Sequence, residues 1–296
     1  MTLENRELSP TGPMDFREWV YELERTGNLV RIEDEIDPLE EAGAIMRFAN
    51  EKRSPAQWFT NLKDSMPGSS LLGGPFAAKE RIAMAFGLPP NIGFKELTDI
   101  FAEFLEKGSV KPIVVDSGRC QENVLLGDEI NLYKFPVPKL HPQDGGLYIG
   151  TLNIGVCKDY DSDWINWGNY RGMMQDKQSI GVFLGPLNHG GQILKKWHDN
   201  GRSMEFAMFF GGDPMHNIVA SSSIPWGISE PDVVGSIRGE PVKLAKCRTI
   251  DLYVPENAEI VLEGIIAPGD LKEEGPFGEY PGYVVSGKNL RPVLRL

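Results

Sequence analysis

The strongest constraint on the fold is a change of sequence pattern near residue 120. Before it, amphipathic helical patterns alternate with short strand-like runs, and Asp15 is suited to cap a first helix whose apolar face includes Trp19 and Leu23. After it, Gly and Pro become frequent and short strand-like runs dominate. The pattern predicts an α+β chain, with an N-terminal α/β domain at residues 1–120 and a β-barrel or sandwich at residues 121–296.

Helix signals occur in both parts. Asp37 followed by Pro38, with Glu40 and Glu41 next, predicts a helix start at Asp37. Ser229 followed by Glu230 predicts another, which Gly239 ends. Further helices are expected at residues 79–86, 94–106 and 191–200.

Composition excludes several classes of protein. The chain has 296 residues and a formal charge of −12, and no basic stripe with interleaved aromatic residues suggests nucleic acid as a partner. No run approaches the roughly 20 apolar residues that a membrane helix needs, and the polar N-terminus favours a cytoplasmic location. The three cysteines, Cys120, Cys157 and Cys247, lie far apart and are expected to be reduced core residues.

One group of polar residues has the chemistry of a metal site. Asn166 lies between two short strands, His189 lies among glycines, and Glu230 lies on the first turn of a helix, where backbone amides favour an ionised carboxylate. Two oxygens and one nitrogen, with no thiolate, suit Mn²⁺ or Mg²⁺ better than a closed zinc site. Taken singly, Asn166 is compatible with a structural role, and a structural role is the commoner one for a His in a Gly-rich turn and for a Glu at a helix start.

A second group points to acid–base chemistry. In EEGPFGEYPGY, Glu274 and Glu279 flank a Gly-Pro-Phe-Gly turn that allows both carboxylates to face one space. Paired carboxylates raise each other's proton affinity, so one of them is suited to deliver a proton near neutral pH, and an arginine close by would keep the other ionised. The alternative is a solvated loop that carries acidic residues. The apolar Phe277 between two glycines disfavours it, because loops in solvent rarely need such a residue.

These residues belong to a series of motifs that resembles the UbiD family of prenylated-FMN-dependent (de)carboxylases. The resemblance covers nearly the whole chain in the family's order, through LVRIEDEIDP, GDEINLYKFPVPKLHPQDGGLYIGTLNIGVCKD, N-x-x-x-YR-x-M, GGDP, GISE, RGEPVKLAKCRTIDLYVP, AEIVLEG and EGPFGEYPGY. It implies an N-terminal α/β domain followed by a split β-barrel of the flavin-reductase type that binds prenylated FMN.

The resemblance also implies roles for particular residues. The family's metal ligands, which hold Mn²⁺ (or Mg²⁺) against the cofactor phosphate, fall on Asn166, His189 and Glu230. Its K⁺ site falls on Trp167, through the carbonyl, on Ser221, Ser222 and Ser223, and on Glu230, which the two metal sites share. Its other cofactor contacts fall on Thr151 and Asn188. Its catalytic Glu-Arg-Glu network falls on Glu274, Arg171 and Glu279, and Arg171 also counts among the cofactor contacts.

The implied reaction is reversible, non-oxidative decarboxylation of an aromatic, heteroaromatic or α,β-unsaturated carboxylic acid through a covalent adduct with prenylated FMN. Arg171 orients the substrate carboxylate, Glu279 protonates the carbon that loses CO2, and Glu274 tunes both. The resemblance further implies a flavin prenyltransferase as the source of cofactor. Because the sequence ends at LRPVLRL, it also implies that the family's C-terminal α/β domain, through which relatives form homo-oligomers, is absent.

Two other interpretations stay open from the sequence. One is a truncated chain or subunit that binds the cofactor without turnover, which the complete Glu-Arg-Glu set disfavours. The other is an ordinary flavin reductase on the same type of barrel, which has no use for the Asn/His/Glu ligands or the paired acids.

Overall fold

The structure is a computed structural model, and it describes residues 12–279, 282–284 and 287–296. Tyr280 and Pro281, which belong to the predicted EGPFGEYPGY motif, lie outside the described residues. The helices are α1 (Phe16–Arg25), α2 (Ala42–Glu51), α3 (Lys79–Ala85), α4 (Phe94–Glu106), α5 (His189–Asp199), α6 (Pro214–Ala220) and α7 (Glu230–Arg238). The strands are β1 (Leu29–Ile32), β2 (Ala56–Phe59), β3 (Leu71–Gly73), β4 (Ile113–Val115), β5 (Tyr148–Gly150), β6 (Ile154–Lys158), β7 (Ile165–Gly168), β8 (Gly172–Asp176), β9 (Ser179–Val182), β10 (Met204–Gly211), β11 (Lys243–Lys246), β12 (Tyr253–Pro255), β13 (Ala258–Glu274) and β14 (Asn289–Arg295). The predicted α+β class is confirmed.

The first part of the chain packs helices on a small sheet. Its three strands have the order β1-β2-β3, with β1 and β2 parallel. Helix α1 begins as predicted, because the Asp15 carboxylate accepts hydrogen bonds from the backbone N–H groups of Arg17 and Glu18. Trp19 and Leu23 are fully buried on its inner face, so the predicted apolar face is the one that enters the core.

The prediction that a helix begins at Asp37 is wrong. Helix α2 begins at Ala42, and the preceding residues form a turn in which the N–H groups of Glu41 and Ala42 both donate to the carbonyl of Asp37. The Pro38 carbonyl accepts the N–H of Lys139 instead of a helical donor. The first helical hydrogen bond, from the Glu41 N–H to the Asp37 carbonyl, does form, but a contact from a distant segment replaces the next one, at the Pro38 carbonyl.

The second part is dominated by an eight-stranded sheet with the order β5-β8-β9-β14-β13-β10-β6-β7. Every neighbouring pair in this order is antiparallel. The long strand β13 carries Glu274 at its end, and β8 begins directly after Arg171. The sheet thereby sets the positions of the predicted acid–base residues.

The two parts of the chain share hydrophobic packing. Helices α6 and α7 contribute Met215, Val219, Val234 and Ile237 to the same core as α1, α3 and α4. A third sheet, of order β12-β11-β4, pairs β4 with β11 in parallel. Residues from both sides of position 120 therefore build common layers.

A buried ion pair fastens this junction. Arg238 lies at the end of α7, and Asp213 directly precedes α6. The Arg238 Nε donates to Asp213 Oδ2 at 2.6 Å, and Nη2 donates to Asp213 Oδ1. Its remaining N–H groups donate to the carbonyls of Ala85 and Pro13 at 3.1 and 2.9 Å. The buried charge is thus fully matched, as burial of a guanidinium requires.

The described residues also bear on the expectations about membrane helices and cysteines. In the described part of the chain, no helix has the length and apolarity needed to cross a membrane. The three cysteines are free thiols, and Cys157 and Cys247 are buried as predicted, while Cys120 is half-buried.

Candidate functional site

Glu230 is the centre of the first candidate cluster, which we call the Glu230 cluster and which consists of Asn166, Trp167, Tyr170 and Glu230. The Asn166 Nδ2 donates to Glu230 Oε1 at 3.0 Å, and the backbone N–H of Trp167 donates to Glu230 Oε2 at 2.7 Å. The Tyr170 hydroxyl donates to Asn166 Oδ1 at 2.6 Å. Strand β7 and the first turn of α7 therefore bring Asn166 and Glu230 together across 64 residues of sequence.

Burial controls the charge of Glu230. The residue is 2% exposed, and this burial raises the pKa of its carboxyl to about 7, although hydrogen bonds from Trp167, its own backbone N–H and Asn166 act in the opposite direction. The backbone amides favour the ionised form, as expected for a helix start, but burial outweighs them. Within the described residues no Lys, Arg or His side chain pairs with Glu230, so a bound cation would supply its missing counter-charge.

His189 lies beside the Glu230 cluster at the start of α5. The capping residue Asn188 accepts the N–H of Gly191 at 2.8 Å and fixes the first turn. The His189 ring packs edge-on against Trp164 and Trp226, with centroid distances of 5.3 and 5.2 Å. Burial lowers the pKa of His189, which favours the neutral imidazole that a metal requires.

Tyr170 connects the start of α5 to Asn166. Its hydroxyl oxygen accepts the backbone N–H of Gly190 at 2.9 Å while its proton goes to Asn166 Oδ1. Burial raises the pKa of this hydroxyl, so it stays a donor. The Tyr170 side chain thus links Asn166 to the backbone of Gly190, the residue after His189.

A cation in this cluster needs ligands of mixed type. Among the described residues, no group of three or more His, Cys, Asp or Glu side chains is arranged to hold a metal ion. Asn166, His189 and Glu230 would supply an amide oxygen, an imidazole nitrogen and a carboxylate, a donor set that fits Mn²⁺ when phosphate or water completes it. The donor chemistry and the unpaired buried carboxylate therefore fit the predicted ion.

The remaining residues predicted to contact the cofactor either make contacts with neighbouring residues or are exposed to solvent. Trp167 is buried against Phe209 and the His216 ring. At the end of α6, the hydroxyls of Ser221 and Ser222 both donate to the Ile218 carbonyl, at 3.0 and 2.7 Å. Thr151 and Ser223 are exposed.

Arg171 is the centre of the second candidate cluster, which we call the Arg171 cluster and which consists of Arg171, Glu274 and Glu279. Arg171 Nε and Nη2 each donate to the Glu274 carboxylate at 3.0 Å, and Nη1 donates to Glu279 Oε1. Glu274 has no exposure to solvent, whereas Arg171 and Glu279 are half-buried. The interpretation of a solvated acidic loop is therefore wrong, and the three predicted side chains meet.

Aromatic rings and a tyrosine complete the surroundings of this cluster. The Arg171 guanidinium carbon lies 4.4 Å from the Phe183 ring centroid and 5.1 Å from that of Phe277. The Tyr148 hydroxyl donates to Glu274 Oε1 at 2.7 Å. Burial, with this hydrogen bond as the second cause, raises the pKa of Tyr148, so its hydroxyl keeps its proton.

The segment before β5 holds the loop that carries Glu279. The N–H of Gly145 donates to the Pro276 carbonyl at 2.8 Å, and the N–H of Gly278 donates to the Asp144 carboxylate at 2.8 Å. A Cβ atom on Gly145 would lie 2.0 Å from the carbonyl oxygen of Gly275. The close backbone approach therefore requires glycine and fixes Glu279 relative to Arg171.

Sequence reasoning missed Tyr170 in the Glu230 cluster and three neighbours of the Arg171 cluster: Tyr148, Phe183 and Arg291, whose Nε lies 3.6 Å from Glu274 Oε2. Tyr170 directly precedes Arg171 in the NYR segment, and that adjacency was a usable signal. The others become neighbours only when β5, β9 and β14 are placed in one sheet.

Comparison with known proteins gives the family. Residues 20–101 match the N-terminal domain of 3-octaprenyl-4-hydroxybenzoate carboxy-lyase, and residues 113–296 match the Rift-related domain of the same family, UbiD. The chain is 39% identical over 277 residues to pyrrole-2-carboxylic acid decarboxylase of Pseudomonas aeruginosa, covering 91% of this chain and 56% of that protein. It is 40% identical over 292 residues to ferulic acid decarboxylase 1 of Saccharomyces cerevisiae, covering 94% and 58%.

Solved structures agree with this result. Vanillic acid decarboxylase of Sedimentibacter hydroxybenzoicus in its closed form superposes with a TM-score of 0.90 at 29% identity, covering 96% of this chain and 61% of that one. An evolved dimeric form of the UbiD-class enzyme HmfF from Pelotomaculum thermopropionicum, in complex with prenylated FMN, gives a TM-score of 0.86 at 29% identity, covering 96% of this chain and 64% of that one.

The chain spans somewhat more than half the length of the curated relatives it matches. With both family domains matched in order, it belongs to the UbiD family of carboxy-lyases.

Proposed function

We propose that this chain carries the reaction centre of a prenylated-FMN-dependent decarboxylase that acts on an aromatic, heteroaromatic or α,β-unsaturated carboxylic acid. The observation that carries the proposal is the position of Arg171, which forms ion pairs with Glu274 and Glu279 together. Relatives named as decarboxylases of pyrrole-2-carboxylic and ferulic acids support the substrate class.

The chain's own residues divide the work of the reaction. Arg171 presents a planar set of N–H donors suited to grip a substrate carboxylate through two parallel hydrogen bonds. Glu279, the less buried of the two acids, delivers a proton to the carbon that loses CO2. Glu274 stays buried and holds Arg171 in orientation through its two hydrogen bonds.

The proposed cofactor site uses the Glu230 cluster. Prenylated FMN, when bound, supplies the electron-accepting centre that makes loss of CO2 feasible. Asn166, His189 and Glu230 would hold Mn²⁺ or Mg²⁺ beside the cofactor phosphate, and the Trp167 carbonyl with Ser221, Ser222 and Ser223 would hold K⁺. The unpaired buried carboxylate of Glu230 supports the presence of a cation there.

The test uses the chain produced together with a flavin prenyltransferase. We expect release of CO2 from pyrrole-2-carboxylate or ferulate and exchange of deuterium into the product carbon. Glu279→Gln is expected to lower both rates by at least about 100-fold, the usual scale of general acid–base catalysis. The matched control, Glu273→Gln, changes an exposed neighbouring acid paired with Lys288 and is expected to leave both rates unchanged.

The outcomes separate the candidate functions. Deuterium exchange at the wild-type rate in Glu279→Gln would refute the proton-donor role. A loaded wild-type chain that retains prenylated FMN but shows neither reaction would support the alternative, a cofactor-binding chain without turnover.

A further inference from the structure

Arg291 places a second guanidinium beside the buried acid of the Arg171 cluster. Its side chain extends from β14, the neighbour of β13 and β9 in the large sheet, and its Nε lies 3.6 Å from Glu274 Oε2. That Nε is buried and has no hydrogen-bond partner among the described residues. Arg291 is therefore close enough for an ion pair with Glu274, yet its Nε proton is not committed to any acceptor.

The two arginines share one aromatic ring. The guanidinium carbons of Arg171 and Arg291 each lie 4.4 Å from the centroid of Phe183. A ring in this position holds both cations by cation–π attraction and supplies an apolar contact between them and the rest of the sheet. Phe183 thereby helps to hold two positive charges in one site. The negative charge of the Glu274 carboxylate offsets the repulsion between them.

The charge count gives this arrangement a consequence. With both acids ionised, Arg171 and Arg291 balance Glu274 and Glu279, so these four side chains carry no net charge without substrate. With Glu279 protonated for proton delivery, the site has one excess positive charge, which matches one substrate carboxylate. Without Arg291, the same state has no excess charge, and Arg171 alone has to serve both Glu274 and the substrate.

We propose that Arg291 is a positioning residue that keeps Glu274 paired when Arg171 turns toward a substrate carboxylate. The inference rests on the proposed decarboxylation for the identity of the ligand, but its physical content is carboxylate binding. Tyr148, which also donates to Glu274, is neutral and cannot replace the charge of Arg291.

The experiment measures binding rather than turnover. Calorimetry on the chain loaded with unprenylated FMN, which lacks the electron-accepting centre needed for loss of CO2, compares pyrrole-2-carboxylate with the uncharged pyrrole-2-carboxamide in the wild type, Arg291→Met and Arg291→Lys. Arg291→Met is expected to weaken binding of the acid by about tenfold or more, the scale of one lost charge-assisted interaction, and to leave binding of the amide within about threefold. Arg291→Lys is expected to restore most of the loss because it returns the charge.

Two controls separate positioning from structural damage. Arg295→Met removes another arginine of β14, one that pairs with Asp270 away from the site, and is expected to bind the acid like the wild type. The flavin absorbance per chain is expected to be equal in all variants.

Each outcome decides between the proposals. Equal affinity of the wild type and Arg291→Met for the acid, or equal weakening of acid and amide, would overturn the role of Arg291. A selective loss of acid binding in Arg291→Met would support the proposed role of Arg291 even if the wild-type chain showed neither CO2 release nor deuterium exchange. That absence of turnover would overturn the proposed reaction alone.

Discussion

The guanidinium of Arg171 binds both carboxylate oxygens of Glu274 at 3.0 Å, at a position where Glu274 has no exposure to solvent. Two parallel hydrogen bonds between a guanidinium and a carboxylate are strong and directional. The second oxygen of Glu274 also lies near Arg291, and the first accepts the Tyr148 hydroxyl. Glu274 therefore lies next to side chains from β5, from the residue directly before β8 and from β14.

Replacing Glu274 tests how far this buried pair supports the fold. Glu274→Gln keeps the shape but leaves the Arg171 and Arg291 charges without their buried counter-ion, and we expect a loss of about 3 kcal/mol in the free energy of unfolding. Urea titration of the cofactor-free chain measures it. Glu273→Gln, at a side chain that is 66% exposed, is expected to change the free energy by less than about 0.5 kcal/mol. Equal losses in the two variants would contradict the buried-pair argument.

Replacing His189 tests the proposed metal ligands. His189→Ala removes the imidazole beside the Glu230 cluster, and we expect binding of Mn²⁺, followed by electron paramagnetic resonance, to weaken by at least about tenfold. Retention of prenylated FMN should fall with it. The control is His198→Ala on the same helix, whose ring contacts the Ile266 carbonyl at 3.3 Å. Full Mn²⁺ stoichiometry in His189→Ala would remove His189 from the ligand set.

Replacing Gly145 tests the backbone support of Glu279. In Gly145→Ala the new methyl group would lie 2.0 Å from the Gly275 carbonyl oxygen, so the loop has to move, at an expected cost of about 1–3 kcal/mol in unfolding free energy. Deuterium exchange should fall as Glu279 shifts from Arg171. Gly146→Ala is the matched control, because its methyl group meets only the flexible Met173 side chain at 2.9 Å. If both variants exchange deuterium at the wild-type rate, the close approach at Gly145 does not position Glu279.

Elements set by neighbouring residues were predictable from the sequence. Helix α1 begins at the residue after Asp15, and α7 ends directly before Gly239, its capping residue with a φ of 74°, because capping is a contact within one turn of chain. Helix α2 was misplaced because the carbonyl of Pro38 is taken by Lys139, 101 residues away in the chain. Local signals cannot register such a competitor.

The candidate site shows the same limit. The residue types at Asn166, Arg171, Glu274 and Glu279 predicted a chemistry through the family resemblance, and the structure brings Arg171, Glu274 and Glu279 into contact. The backbone amides lower the pKa of Glu230 as predicted, but its net pKa also depends on burial that only the packed fold creates. Arg291 escaped notice because its place beside Glu274 follows from the register of β13 and β14, not from a motif.

His216 gives the structure a pH-dependent stability that can be measured without cofactor. Its ring is buried against Trp167 and Phe209, and burial lowers its pKa from 6.5 to about 4, with Arg238 acting in the same direction and Asp213 opposing. Between these values the unfolded chain binds more protons than the folded one, so stability increases with pH. The contribution is present above pH 6.5 and is lost as the pH falls toward 4, with a size of about 3 kcal/mol. Urea unfolding from pH 4 to pH 7 in wild type and in His216→Phe, which keeps an aromatic ring but cannot titrate, should show a steeper rise in the wild type. Parallel pH profiles for the two proteins would mean that His216 titrates normally in the folded chain.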